Sequence, residues 1–394
     1  MQGKNSQKKT NKSRIIIAGD LFPIPANVDY FVEGNIIQLF GEKLCQLFSN
    51  ADLTICNLEG ALSNQPENCR KIGPVLTMPT SVIEGYKRLG VDVCMLANNH
   101  ITDGGQKGLI DTIETLEKAN IAYIGAGIKE DSIQKWVYYD LCDTKIIIYN
   151  VCERIFNKPT LTKGGSWLYD EYIVCNDIKK LKQDCDYLVV VYHGGIEQFR
   201  YPSPEVRKRF HRMADSGADM ILSQHTHCIG CEEWYNGSYL LYGQGNFLFR
   251  DIRPTQTDEA LLIEIVFEKG KAEIYRHLVK SYEKIFVRYD DNQNLIDFET
   301  RSERIKDENY LNQQFQIFCR ERLSHYLKAC NCPTLFQRMI RKFFPKYFKN
   351  NFIYRCFNEN QLLTILHTLR SEQKREEAII GLEVLMKEKG INIQ

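Results

Sequence analysis

Residues 14–280 alternate short apolar runs with stretches of helical period. The runs RIIIAG (14–19), ADLTIC (51–56), VDVCML (91–96) and IAYIG (121–125) are continuous and rich in β-branched residues, which predicts strands. KIIIYNV (145–151), DYLVVVY (186–192), ADMILS (218–223) and YLLYG (239–243) predict four more. Between them, NIIQLFGEKLCQLF, SVIEGYKRLG, QKGLIDTIETLEKA and PEVRKRFHRMADSG place apolar residues three and four apart and predict helices. The rhythm is βαβ, so the fold class is α/β. ALLIEIVF and KAEIYRHLV, within 260–287, predict an antiparallel hairpin turning at Glu268-Lys269-Gly270.

The texture changes near residue 290. DDNQN (290–294) reads as a turn or linker, and the chain beyond about 300 is helical and charged, through QLLTILHTLR and EEAIIGLEVLMKEKG. The pattern predicts a disordered leader over 1–13, an α/β domain over 14–287 and a helical C-terminal extension over 288–394.

Composition sharpens this picture in three places. Hydrophobic residues are 43% and charged residues 26% of 394, an ordinary globular balance that excludes disorder as the main state. Charges nearly cancel, 51 Lys+Arg against 50 Asp+Glu, so no nucleic-acid partner is expected from overall charge. The 14 cysteines are scattered, several inside apolar runs, which suits a reducing compartment. With no apolar run near ~18 residues, the expected location is cytoplasmic, at most peripheral to a membrane.

Candidate chemistry gathers at the carboxyl ends of the predicted strands, where α/β sheets bind ligands. The strand ends deliver Asp20, then Asn57 and Glu59, then Asn98, Asn99 and His100 with Asp103 following. Further along come His193 with Glu197, then His225 and His227, then Asn246. Four of the eight histidines fall here. Imidazole with carboxylate suits Mn, Fe or Zn, and there are donors for two divalent ions. Taken singly, each feature has an ordinary explanation. Asp20 can serve a turn, Asn57 and Glu59 a cap, and Asp103 the N-cap of the helix that follows. On an extended segment His225 and His227 would share one face. Their recurrence at six successive strand ends favours a site. Asn98, Asp103 and Glu197 would orient ligands beside them. Asn246 would hold the His225–His227 loop or meet substrate.

GDLF, NLEGALS, LANNHITDGG, VVYHGGIEQ, SQHTHCIG and YGQGNFLF follow one another in the order of the CapA family's motifs. Over about residues 14–250 the chain resembles that family, which is named for poly-γ-glutamate capsule synthesis. The resemblance implies a calcineurin-like metallophosphoesterase sandwich of mixed sheets flanked by helices. It also implies roles for single residues. Asp20 and His227 would bind a first metal, Glu59 would bridge, and Asn99, His193 and His225 would bind a second. His100 would assist the leaving group, with Asp103 beside it. The first motif departs from the Asp-x-His of ordinary metallophosphoesterases, because Phe22 stands where the histidine would be.

The resulting expectation is a metal-dependent, phosphoesterase-like hydrolase in capsule, exopolysaccharide or poly-γ-glutamate biosynthesis. Its substrate would be an anionic or phosphorylated polymer or small molecule. Two rivals use the same residues. One is amide hydrolysis or transfer on a polyglutamate-type polymer. The other is a non-catalytic, metal-stabilised subunit of a polymer synthesis or export complex. Residues 322–358 hold eight Lys and Arg and no acid, interleaved with aromatics. Such a stretch suits an anionic membrane surface or a membrane-associated complex, or a helical lid. Lys71, Arg154, Arg200 and Arg250 are cations near the predicted loops, and Cys228 and Cys231 form a CxxC without a partner motif.

Overall fold

The structure is a computed structural model that describes residues 12–67, 73–153, 158–249, 258–268, 270–283, 285–329 and 358–389. Its principal strands are β1 (Lys12–Leu21), β2 (Leu53–Leu58), β3 (Val93–Met95), β4 (Ala122–Ile124), β5 (Trp136–Leu141), β6 (Thr144–Cys152) and β7 (Tyr187–His193). They continue as β8 (Met220–Gln224), β9 (Glu232–Tyr235), β10 (Ser238–Leu241), β11 (Glu259–Glu268), β12 (Lys271–Tyr282) and β13 (Phe286–Tyr289). One seven-stranded sheet runs β13-β12-β11-β1-β2-β3-β4, and a six-stranded sheet runs β9-β10-β8-β7-β6-β5.

Both sheets are mixed. β1 pairs parallel with β2, Ile15 opposite Leu53, and antiparallel with β11, Ile15 opposite Ile265. β7 lies parallel to β6 and to β8, whereas β5 returns antiparallel along β6.

Alternation along each strand builds the layers. Ile15, Ile17, Leu53, Ile55, Val93 and Met95 on one sheet face Ile146, Ile148, Val189, Val191, Met220 and Leu222 on the other. The intervening residues turn outward to helices. Ile16, Ala18, Cys56 and Cys94 pack with Leu39, Phe40, Leu44 and Tyr86 on one side. Those partners lie on α2 (Ile36–Ser49) and α3 (Ile83–Leu89), which follow α1 (Val28–Val32); α4 (Gly105–Lys118) covers the same side through Leu109 and Leu116. On the other side, Ile147, Tyr149, Val190 and Tyr192 pack with α5 (Glu171–Leu181) and α6 (Pro204–Asp215) through Val174, Ile178, Phe210 and Met213. Because both faces of each central strand are buried, the strands read as unbroken apolar runs. The architecture is the expected sandwich of mixed sheets flanked by helices.

Five of these elements had no counterpart in the sequence reading: α1, β5, α5, β9 and β13. β5 and β9 are edge strands with one wet face, and Trp234 on β9 is 65% exposed. Such strands carry the weakest apolar signal. The β5–β6 turn places Cys142 and Asp143 at positive φ without a glycine to announce it.

The first compact unit runs to Leu311 and a second begins at Asn312. The first therefore includes β13 and α7 (Ile296–Arg304), whose Phe298 is buried. α8 (Glu308–Ala329) begins within the last residues of that unit, and α9 (Glu359–Arg370) and α10 (Glu372–Glu388) follow in the chain. Asn358 caps α9 reciprocally with Gln361, a capping box. Among the described residues no helix is long and apolar enough to cross a membrane. Most of the basic and aromatic stretch expected over 322–358 lies outside the described residues, as do most of the leader and Lys71, Arg154 and Arg250. Lys12 and Ser13 already pair with Glu268 and Phe267.

Candidate metal centre

The two sheets bring six strand ends to one edge of the sandwich. Asp20 comes from the end of β1, Asn57 from β2 with Glu59 just beyond, and Asn98, Asn99 and His100 from the turn after β3. His193 is the last residue of β7, His225 and His227 follow β8, and Asn246 follows β10. Asp20, Glu59, His193, His225 and His227 are all buried, at 0 to 5% exposure.

Asn57 ties the carboxylates together. Its Nδ2 donates to Asp20 Oδ1 at 2.9 Å and also to Glu59 Oε2, and it lies 3.4 Å from His193 Nδ1. Asn98 Nδ2 donates to Asn57 Oδ1 at 3.1 Å and to the Leu58 carbonyl at 2.8 Å, which fixes the amide's orientation. On one side, His227 Nδ1 lies 3.4 Å from Asp20 Oδ2 and hydrogen bonds Asn246 Oδ1 at 2.8 Å. On the other, His193 Nε2 approaches Asn99 Oδ1 at 2.9 Å and Glu59 Oε1 at 3.3 Å. Donor atoms of Glu59, His193 and His225 lie within 4.8 Å of one another, the one such group among the described residues.

His225 and His227 do not sit on an extended segment. Their φ angles are +87° and +54°, and Gln198 in the neighbouring loop is at +67°. These left-handed positions cost energy for non-glycine residues and are held by the surrounding contacts. The turn aims His225 at Glu59 and His193 while His227 meets Asp20, with the two rings 5.8 Å apart.

Charge follows this geometry. Burial raises the Asp20 carboxyl, but His227 and His193 outweigh it and hold it at about 2. Burial lowers His227, but Asp20 reverses this and lifts it to about 9. For His225, burial and then the neighbouring His193 push the ring well below the ordinary histidine range. Glu197 contributes by charge, favouring the protonated forms of His225 and His227.

A divalent ion fits these residues. Glu59 Oε1 and His225 Nδ1 are buried without a hydrogen bond. Leaving such groups unsatisfied costs about 1–3 kcal/mol each. An ion among Glu59, His193 and His225 would satisfy both, and the nitrogen and oxygen donor set suits Mn, Fe or Zn.

Next to this cluster, His100 Nδ1 lies 2.7 Å from Asp103 Oδ2, which also accepts from the Leu76 N–H at 2.7 Å. Asp103 does not cap α4. Gly104 occupies that position, without a side-chain cap. His100 and His227 both neighbour Phe249, with ring centroids at 6.5 and 5.0 Å. Phe22 is in the helix-side core at 1% exposure, so no imidazole stands at that position and the residue is apolar packing. Arg200 is half-buried. Cys228 and Cys231 are buried without a disulfide.

Sequence patterns missed Glu153. It follows β6 directly, is 1% exposed, and places Oε1 3.8 Å from His225 Nε2. The rule that found the other residues, polar groups at strand ends, applies equally to Cys152-Glu153.

The family described as bacterial capsule synthesis protein PGA_cap matches residues 14–251. Capsule biosynthesis protein CapA of Bacillus anthracis is 30% identical over 195 residues, covering 48% of this chain and 47% of that protein. PGA biosynthesis protein CapA of Bacillus subtilis is 28% identical over 229 residues, covering 57% and 60%. The chain thus spans about half the length of these curated relatives. Among solved structures, a novel phosphatase of Mycoplasma pneumoniae aligns with a TM-score of 0.42 at 16% identity over 73% of this chain and 99% of that one. A putative 5'-nucleotidase of Staphylococcus aureus aligns at 0.44 and 12% identity over 75% and 58%.

Proposed function

The chain belongs to the bacterial capsule synthesis protein family PGA_cap, and we propose that it is a metal-dependent hydrolase of phosphoesterase type serving the synthesis of an anionic capsule polymer. The observation that carries this reading is the buried convergence of Asp20, Glu59, His193, His225 and His227, with Glu59 Oε1 and His225 Nδ1 left without hydrogen bonds. Asp20 and His227 would hold one ion, with Asn246 steadying His227. Asn99, His193 and His225 would hold a second, and Glu59 would serve both. Divalent ions bound there supply Lewis acidity and an activated water.

The chain's own residues supply the rest. Asn57 and Asn98 fix the carboxylates before any ligand arrives, so little reorganisation is needed. Asp103 accepts the Nδ1 proton of His100 and orients the ring, so proton transfer to a leaving oxygen would run through Nε2. Phe249 stacks on His227 at an interplanar angle of 13° and would cover that face of the ring. The names of the relatives support a polyglutamate-type polymer as the anionic partner.

The burial of Phe22 favours a second reading, a metal-stabilised subunit without turnover, because the first ion then has fewer protein donors. Metal analysis of the purified protein beside Asp20→Ala and His225→Ala, with hydrolysis of a generic aryl phosphodiester in Mn, separates the two. The hydrolase reading requires bound metal and turnover that both variants lose. Bound metal without turnover supports the second reading, and no bound transition metal under metal-replete conditions defeats both.

A further inference from the structure

Glu153 sits where two site loops meet. Its backbone N–H donates to the His193 carbonyl at 3.0 Å, and its Oε2 accepts from the Gly195 N–H at 3.3 Å. The carboxylate is therefore pinned to the loop that carries His193. Its other oxygen, Oε1, lies 3.8 Å from His225 Nε2, an electrostatic distance beyond hydrogen-bond range. The opposite ring nitrogen, His225 Nδ1, is buried without a hydrogen bond. The His225 ring lies 4.9 Å from that of His193, centroid to centroid, on a backbone at φ +87°. Such a backbone conformation persists only where the surrounding contacts hold it.

We infer that Glu153 is a positioning residue: its carboxylate draws the single ring proton of His225 to Nε2 and leaves the Nδ1 lone pair for an ion shared with Glu59 and His193. A neutral imidazole carries one N–H, and a carboxylate beside one nitrogen favours the tautomer that points the proton at it. The other nitrogen then has its lone pair outward, as a metal ligand needs. Carboxylates that orient a ligating histidine in this way typically contribute about 10–100-fold in metal affinity. Glu153 is thus assigned through His225 and not through contact with substrate.

The second half of this inference rests on the metal reading above, and the first half does not. Nitrogen-15 NMR of the histidine rings in metal-free protein reads the tautomer of His225 directly. The expected result is Nε2–H in the wild type and a shift toward Nδ1–H in Glu153→Ala. Calorimetric titration with Mn is expected to show one of the binding events weakened by about 10–100-fold in Glu153→Ala. Glu153→Gln has a single acceptor oxygen, which the Gly195 N–H holds, so its NH2 faces His225 Nε2 and the variant is expected to lose affinity and shift the tautomer as Glu153→Ala does. A wild-type Nδ1–H tautomer overturns the inference, and so does an alanine variant that binds every ion as tightly as the wild type. If the wild type takes up no ion, the metal reading fails while the NMR result still decides the tautomer. If the alanine variant does not fold, the wild-type tautomer alone decides.

Discussion

The Phe22 ring lies against Gly60, the residue after Glu59, so closely that a Cβ added to Gly60 would come within 2.6 Å of ring carbon Cε2 and 3.0 Å of the Leu76 carbonyl. Phe22 is fully packed and cannot swing away. Gly60→Ala is therefore expected to lower stability by about 1–3 kcal/mol through overpacking and to shift Glu59. Thermal melting together with Mn affinity checks this, and a variant with wild-type values for both would contradict it.

His100 and Asp103 form a buried pair at 2.7 Å. On the proposed mechanism, His100→Ala lowers kcat by about 10²–10⁴ while metal content stays at the wild-type level. Asp103→Asn, which keeps an acceptor for Nδ1, is expected to lose less. Paired turnover and metal measurements test both. A His100→Ala variant that loses its metal would move that residue from proton transfer to ligation.

Ion binding should also appear as stability. A ligand that binds only the folded state at 100 times its Kd stabilises it by about 2.7 kcal/mol. Mn is expected to raise the Tm of the wild type and to raise that of Asp20→Ala by less, because the variant keeps the donors of Glu59, His193 and His225. Differential scanning with and without chelator reads this, and equal shifts in both proteins would place the ion elsewhere.

Away from the site, Glu233 accepts from Arg207 at 2.9 Å and from Tyr242 Oη at 3.0 Å, and it contacts His211. Burial raises its carboxyl, but His211 and Arg207 outweigh this and hold it below the ordinary value of 4.5. A depressed folded-state value means that the stabilisation is present above about pH 4.5 and is lost as pH falls through the lower folded value. Glu233→Gln should flatten that acid limb, and Glu233→Ala should cost about 1–3 kcal/mol at neutral pH through the hydrogen bonds lost from Arg207 and Tyr242, Arg207 keeping Glu308 at 3.7 Å. Denaturant melts across pH 3–7 provide the test.

A buried amide pair joins the two sheets beneath the site. Gln244 Nε2 donates to the Ile17 carbonyl at 3.0 Å and the Leu261 carbonyl at 3.2 Å, and Gln224 Nε2 donates to Gln244 Oε1 at 2.8 Å. Gln244→Leu is expected to cost about 1–3 kcal/mol for each group it orphans. Chemical denaturation measures it, and a neutral result would mean that the carbonyls find other donors.

The βαβ rhythm, the central strands and the helices beside them were legible in the sequence because each central strand is buried on both faces and so reads as an apolar run. The polar residues at strand ends were legible for a related reason. A sheet buried on both faces leaves its ends as the place where polar side chains can meet, so Asp20, Glu59, His193 and His225 stand out against their neighbours. What the sequence could not fix was convergence. That His225 and His227 turn through left-handed backbone and part company, one toward Glu59 and the other toward Asp20, depends on loops held by contacts far away in the chain. Asp103 serving His100, three residues away in the same turn, instead of capping α4 depends on how that turn is held, and Glu153 reaching His225 is likewise a meeting of side chains from the ends of different strands. Local pattern names the residues that carry charge and lone pairs, but only the packing of one sheet on the other decides which of them share a few ångströms of space, because that proximity is set by the whole core at once.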